Sequence, residues 1–190
     1  MDNYDLKKPF SSFFPGVSGK NGIPIWAFYC NRGQGITSFG VKDKNGAILE
    51  FNPAAIAYEK VQTQGFRTFL KANGHFIEPF TKLGFGQQIR KMRLTSTHLL
   101  LEETDKDQKY LITVEYFTLP EAPLGALMRT LTFKNLANRK VKIELLDGLS
   151  QVLPRGLSNG AYKDVGNLMR SWMDVVHLEN HTPFFKMRSS

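Results

Sequence analysis

A single cysteine, Cys30, stands among 190 residues. No disulfide can form within the chain, which suits a reducing compartment. Cys30 closes the apolar run "IPIWAFYC", where a thiol behaves as a small hydrophobe rather than a nucleophile. No apolar stretch approaches the roughly 18 to 20 residues that span a bilayer, so no membrane partner is expected. The start, "MDNYDLKKPF", has no basic region leading into an apolar one, so no signal peptide is expected and the predicted location is cytoplasmic. The glycosylation sequon Asn180-His181-Thr182 has no meaning in that compartment. Catalytic signatures are equally scarce. "RGQGIT" lacks the Lys-Ser/Thr of a phosphate-binding loop, and no helical pattern follows it. There is no Gly-x-Ser-x-Gly, and no Ser/His/Asp set can be assembled. Internal repeats and low-complexity tracts are absent too.

Phenylalanine is abundant, with fifteen copies against six tyrosines and two tryptophans, a bias that favours half-buried pleated surfaces. A chain of this length predicts one domain that buries roughly 70% of its unfolded surface. Residues 1–22 are rich in Pro, Gly and Ser and read as a loop, with Phe10, Phe13 and Phe14 pinning it to the body. The domain proper is expected over 23–190. Short strand patterns follow one another from "IPIWAFYC" and "GITSFGV" to "LITVEYF" and "VKIEL". Ile112, Val114 and Tyr116 share one face, as do Val141, Ile143 and Leu145. Asp43-Lys44-Asn45-Gly46 reads as a hairpin turn in which Asn-Gly supplies positive φ. Residues 52–62 read either as a helix capped by Asn52 or as an extended segment, and 158–173 as a helix with Leu168, Met169 and Trp172 on its apolar side. Closely spaced strands with few short helices predict a mainly β chain, an antiparallel β-sandwich. The apolar "PFF" near the end predicts a domain that continues past Ser190.

The formal net charge is +8, which would steer anions. The densest basic stretch is Arg90-Lys91-Met92-Arg93 and the remaining cations read as a scattered solvated surface, so nucleic acid is not the expected partner. His177 and His181 would share a helix face as metal ligands, but Val175-Val176 and Pro183 argue for an extended segment, in which four residues span roughly 13 Å. No metal and no cofactor are expected. Glu102 and Glu103 point to opposite faces of a strand and read as a solvated strand end. Arg129 has the parity of Leu127, Leu131 and Phe133 and must point inward with them, either to pair with a structural carboxylate or to line a pocket. Arg32-Gly33-Gln34-Gly35 is either a tight turn with permissive glycines or a place where Arg32 and Gln34 donate to a polar ligand at a sheet rim. Trp26 and Phe28 share one strand face and read as core. Tyr29, on the other face, is the better platform for a sugar ring. The candidate carbohydrate-binding residues are therefore Tyr29, Arg32, Gln34 and Arg129, and no catalytic residue is assigned.

Three stretches together resemble a known family. "GIPIWAFYCNRGQGITSFGVKDKNGAILEFNPA", "LGALMRTLTFKNLANRKVKIELLDGLSQVL" and "ENHTPFFKMRSS" are similar to segments of the N-terminal β-sandwich domain in cellobiose-phosphorylase-like proteins, glycoside hydrolase family 94. The resemblance implies a galactose-mutarotase-like super-sandwich that is followed, in the parent chain, by a helical linker and an (α/α)6 barrel holding the general acid and most of the phosphate site. It implies a non-catalytic domain that shapes one side of the active-site mouth of an inverting glycoside phosphorylase, with an oligosaccharide as ligand and a homodimer as assembly. Two alternatives stand beside it. One is a free-standing sugar mutarotase, which would need a His and a Glu on one concave face, such as His98 with Glu115. The other is a basic nucleic-acid-binding β module.

Overall fold

Strict alternation decides most of this structure. In "YLITVEYFT" Tyr110, Ile112, Val114 and Tyr116 fall on every second position, and a strand sends alternate side chains to opposite faces. Ile112, Val114 and Tyr116 are accordingly buried, each adding about 1.5 to 3 kcal/mol of apolar burial. The computed structural model describes residues 1–14, 24–72, 74–81, 88–119 and 121–188. It is a mainly β, sandwich-like arrangement of antiparallel sheets.

The first sheet runs in the order β1 (Ser11–Phe14), β2 (Ile25–Cys30), β3 (Ile36–Val41), β4 (Ala47–Leu49). The helix α1 (Ala54–Gln64) leads out of it into β5 (Phe66–Ala72) and β6 (His75–Ile77). The second four-stranded sheet is a meander of β7 (Gln88–Leu94), β8 (His98–Asp105), β9 (Tyr110–Thr118) and β10 (Leu127–Asn135). β11 (Ile143–Leu149) then returns to pair with β5, giving a third sheet in the order β11-β5-β6. The helix α2 (Asn159–Ser171) and a hairpin of β12 (Met173–Val176) and β13 (Phe184–Met187) close the chain.

One hydrophobic core gathers side chains from all three larger sheets: Tyr29 and Ile36 from the first, Leu99, Leu101, Ile112 and Tyr116 from the second, and Leu70 from the third. The ring of Phe66 lies 5.9 Å from Phe39 and 5.5 Å from Tyr116, tying the sheets together. No helix among the described residues is long and apolar enough to cross a membrane.

Several local expectations need correction. The N-terminal segment is not all loop. β1 pairs with β2, Tyr4 is fully buried, and the Met1 ammonium donates to Met92 O at 2.8 Å. Met92 N and Asn3 N also donate across this junction, so the extreme N-terminus covers an otherwise open edge of β7. Residues 15–23, including the expected domain start, lie outside the described residues. At Asp43–Gly46 a hairpin forms, but by another turn. Residues 44–46 make a short 3-10 turn in which Asp43 accepts from Asn45 N at 2.8 Å, and the positive φ falls on Lys42 at 68°. Gly46 is required for close approach instead, since a Cβ there would sit 2.1 Å from Val41 O. Residues 54–64 are helical, with Pro53 rather than Asn52 at the cap position. α2 is capped by Ser158, which accepts from Ala161 N at 3.1 Å. Its inward face is Asn159, Tyr162 and Gly166, while Leu168 and Trp172 are exposed.

Candidate functional site

Arg129 points inward from β10, as its parity with Leu131 and Phe133 requires. Its guanidinium meets four elements at once. Nη1 and Nη2 form a forked pair with Asp147 of β11, the Nη2–Oδ1 arm being 2.9 Å. Nη2 also donates to Gln34 Oε1 at 2.6 Å, and Nε to the Tyr116 hydroxyl at 3.3 Å. Thr68 completes the set, donating to Asp147 Oδ1 at 2.6 Å and accepting from Gln34 Nε2 at 2.9 Å. The Arg129 Cζ lies 5.0 Å from the Phe66 ring centroid. Burial works against the Arg129 charge, but Tyr116 and Asp147 outweigh it and hold the guanidinium above its ordinary pKa. Burial in turn raises the Tyr116 phenol well above the usual value. The Arg129 side chain is 8% exposed, so this is a buried polar junction that locks the three sheets in register.

A second buried cluster lies at the far end of the same core. Glu103, read from the sequence as a solvated strand end, is 1% exposed. Its carboxylate accepts from Arg90 Nε at 2.8 Å, Phe80 N at 2.6 Å and the Tyr110 hydroxyl at 2.9 Å. Arg90 also donates to Asp5 at 2.6 Å. The alternation of Glu102 and Glu103 holds, with Glu102 facing outward toward Arg93. The solvated reading fails for Glu103, because its face of β8 is the core face.

The candidates on the β2–β3 connection are absorbed in structure. Gly33 and Gly35 take φ of 51° and 82°, and Gly35 N donates to Arg32 O at 3.0 Å, which makes the segment a tight turn. Arg32 donates to Asn31 O and Lys7 O at 2.7 and 3.0 Å, pinning the N-terminal segment. Gln34 is buried, and both ends of its amide are engaged in the Arg129 junction. Tyr29 is 2% exposed within the central core, whereas Trp26 and Phe28 pack with Phe51 on the other face of the sheet. The strand is apolar on both faces, so parity alone could not tell which face meets the core. The structure thus joins Gln34 with Arg129 and leaves Tyr29 and Arg32 apart from them; neither Tyr29 nor Gln34 lies at a solvent-facing rim. Cys30 is fully buried, and burial pushes its thiol up to about 12.

The remaining candidates separate cleanly. His98 Nε2 and Glu115 Oε1 do come together, at 3.8 Å, but on the outward face of β8 and β9 rather than in a concavity. His177 and His181 flank the β12–β13 turn and both have positive φ, so the expected extended segment does not form there. No group of three or more potential metal ligands occurs among the described residues.

What the sequence did not single out is an open cleft of about 420 Å³ at the turn end of β9 and β10, facing β5 and β6. Its size falls in the range of small-molecule sites. The floor is Phe133 and Tyr110, whose rings lie 6.0 Å apart, with Ile77 beside them. Two turns form the rim. Asp105 accepts from Asp107 N and Gln108 N at 2.9 and 2.8 Å, fixing the first as a side-chain-capped turn. Asn135 accepts from Ala137 N at 2.9 Å and donates to Arg139 O at 2.7 Å, fixing the second. Leu136 N donates to Lys109 O at 2.8 Å and clips the two turns together. The side-chain amides of Gln108 and Asn138 line this rim and have no hydrogen-bond partner among the described residues. Tyr110 is 3% exposed and backs the half-buried Phe133 ring, which can pack against one face of a ligand ring while the exposed amides hydrogen-bond to its hydroxyls. The chain matches no protein-family model and no curated protein.

Proposed function

We propose that this chain is a non-catalytic carbohydrate-binding and structural domain of a carbohydrate-active enzyme, of the glycoside phosphorylase kind that the sequence resembles. The observation that carries the reading is the cleft above Phe133, with the exposed Gln108 and Asn138 amides, which have no hydrogen-bond partner among the described residues, on its rim. Because the polar atoms of Tyr29, Arg32, Gln34 and Arg129 are engaged or buried, this reading looks for the ligand at these turns instead. The antiparallel sandwich-like fold is the scaffold such a domain needs. In this reading the partner is an oligosaccharide, the chemistry belongs to a helical barrel elsewhere in the parent chain, and a homodimer is the assembly.

Titration calorimetry of the full chain against neutral and acidic oligosaccharides tests this. Binding to at least one saccharide is expected, together with its loss in a Gln108→Ala, Asn138→Ala double variant whose thermal unfolding is unchanged. Binding to no saccharide, or binding that the double variant leaves intact, overturns the reading.

A further inference from the structure

The same two turns carry an excess of one charge. Residues 106–109 and 134–142 hold six cations, Lys106, Lys109, Lys134, Arg139, Lys140 and Lys142, against one acid, Asp107. Lys109 and Arg139 line the cleft itself. The hydrogen bond from Leu136 N to Lys109 O holds the two turns, and with them the cations, side by side. None of the six has an ion-pair partner among the described residues. The nearby carboxylates are committed elsewhere: Glu144 faces Lys71 at 3.7 Å, and Asp105 is buried, capping its own turn. At the cleft itself the two cations stand beside one acid, Asp107, while Lys106, Lys134, Lys140 and Lys142 flank it on exposed positions of the same two segments, so the local potential favours an anion.

We infer that the cleft takes an anionic saccharide, one bearing carboxylate, sulfate or phosphate groups, with Lys109 and Arg139 at its mouth and the flanking cations steering its approach. The inference rests on the carbohydrate reading above and adds the ligand's charge. A nucleic acid fits less well. The cations sit at one end of the second sheet rather than along a groove that tracks a backbone, and the aromatic rings form a floor rather than a row of stacking platforms. Charges within a Debye length of about 10 Å act on a bound ligand with little screening, which gives Lys109 and Arg139 in the lining the largest share.

The test uses the full chain with three probes: tetragalacturonic acid, cellotetraose and a short single-stranded oligodeoxynucleotide. Tetragalacturonic acid should bind about tenfold more tightly than cellotetraose at low salt, from a few exposed charge contacts each worth a small factor. That margin should shrink as salt rises from about 50 to about 200 mM. Lys109→Asn with Arg139→Gln, neutralising the two cations that line the cleft, should weaken the acidic probe by about tenfold and cellotetraose by much less, so that the preference for the acidic probe falls. Equal affinity for the acidic and neutral saccharides overturns the anionic inference and spares the carbohydrate reading. Tighter binding of the oligonucleotide than of either saccharide overturns the inference in favour of nucleic acid. An unchanged acidic affinity in the double variant overturns the placement at these turns. Binding of none of the three overturns the inference and the carbohydrate reading together.

Discussion

Replacing Arg129 with alanine removes the centre of the junction between the three sheets. The loss strands Gln34 Oε1 and the Tyr116 hydroxyl in the interior and leaves Asp147 without its cation. Breaking a buried ion pair by removing one partner costs about 3 to 5 kcal/mol. Asp147 keeps 23% of its side chain exposed, so water can take over part of its solvation, and the lower end, about 3 kcal/mol, applies. For a chain of this size each kcal/mol lowers the melting temperature by about 2 to 4 °C, giving a fall of roughly 6 to 12 °C. Differential scanning calorimetry of the two proteins at neutral pH and matched salt reads it directly. Arg129→Lys keeps the charge but not the fork, and should lose about half as much. The paired change Arg129→Met with Asp147→Leu removes both charges and should recover most of the loss. A fall below about 2 °C for Arg129→Ala, or no recovery in the paired variant, refutes the idea that this contact network holds the sheets together.

Glu103→Ala leaves Arg90 buried with only Asp5 as counter-charge and should cost about 3 kcal/mol by urea unfolding, while Glu103→Gln, which preserves the shape and part of the hydrogen bonding, should cost less. Alkaline pH should unfold the chain early: burial raises the Tyr4, Tyr110 and Tyr116 phenols and the Cys30 thiol. Each raised group favours the protonated folded state, so its stability is fully present below the unfolded value and is lost as pH climbs toward the folded one. The decline should begin near the ordinary thiol value of 9.0, gather the tyrosines above 10.0, and remove about 1.4 kcal/mol per pH unit for each group in its window. Urea midpoints measured across that range should fall steadily, and a flat profile contradicts it. Ser158→Ala removes the cap of α2 and should lower stability by about 1 kcal/mol, or less if α2 frays independently, as helix signals in circular dichroism would reveal.

The strands were legible because alternation is local. β9 and β10 are regular and lie where "LITVEYF" and "LMRTLTF" alternate, whereas β8, over "HLLLEET", carries no such pattern. Even the inward turn of Arg129 could be read from its neighbours. Its partner could not, because Asp147 stands 18 residues away on another sheet and no local signal links them. Tyr29 was misplaced for a different reason: β2 is buried on both faces, and a two-sided apolar strand carries no sign of which side is central. Glu103 looked solvated because a charged pair at a strand end usually is, and only Arg90 and Tyr110, brought beside it by the meander, with Phe80 N from the segment after β6, make its burial tolerable. The cleft was the least visible feature. It is assembled from two turns and a remote hairpin, and its cations read as a scattered surface until Leu136 and Lys109 are seen to hold the turns together.

Mapping amide chemical shifts on the full chain during titration with tetragalacturonic acid would locate the ligand without any mutation. Shifts that saturate together at residues 107–110 and 133–141 are the predicted result. Shifts gathered instead on the Arg32–Gly35 turn, or none at all at saturating saccharide, would contradict a carbohydrate site in this cleft.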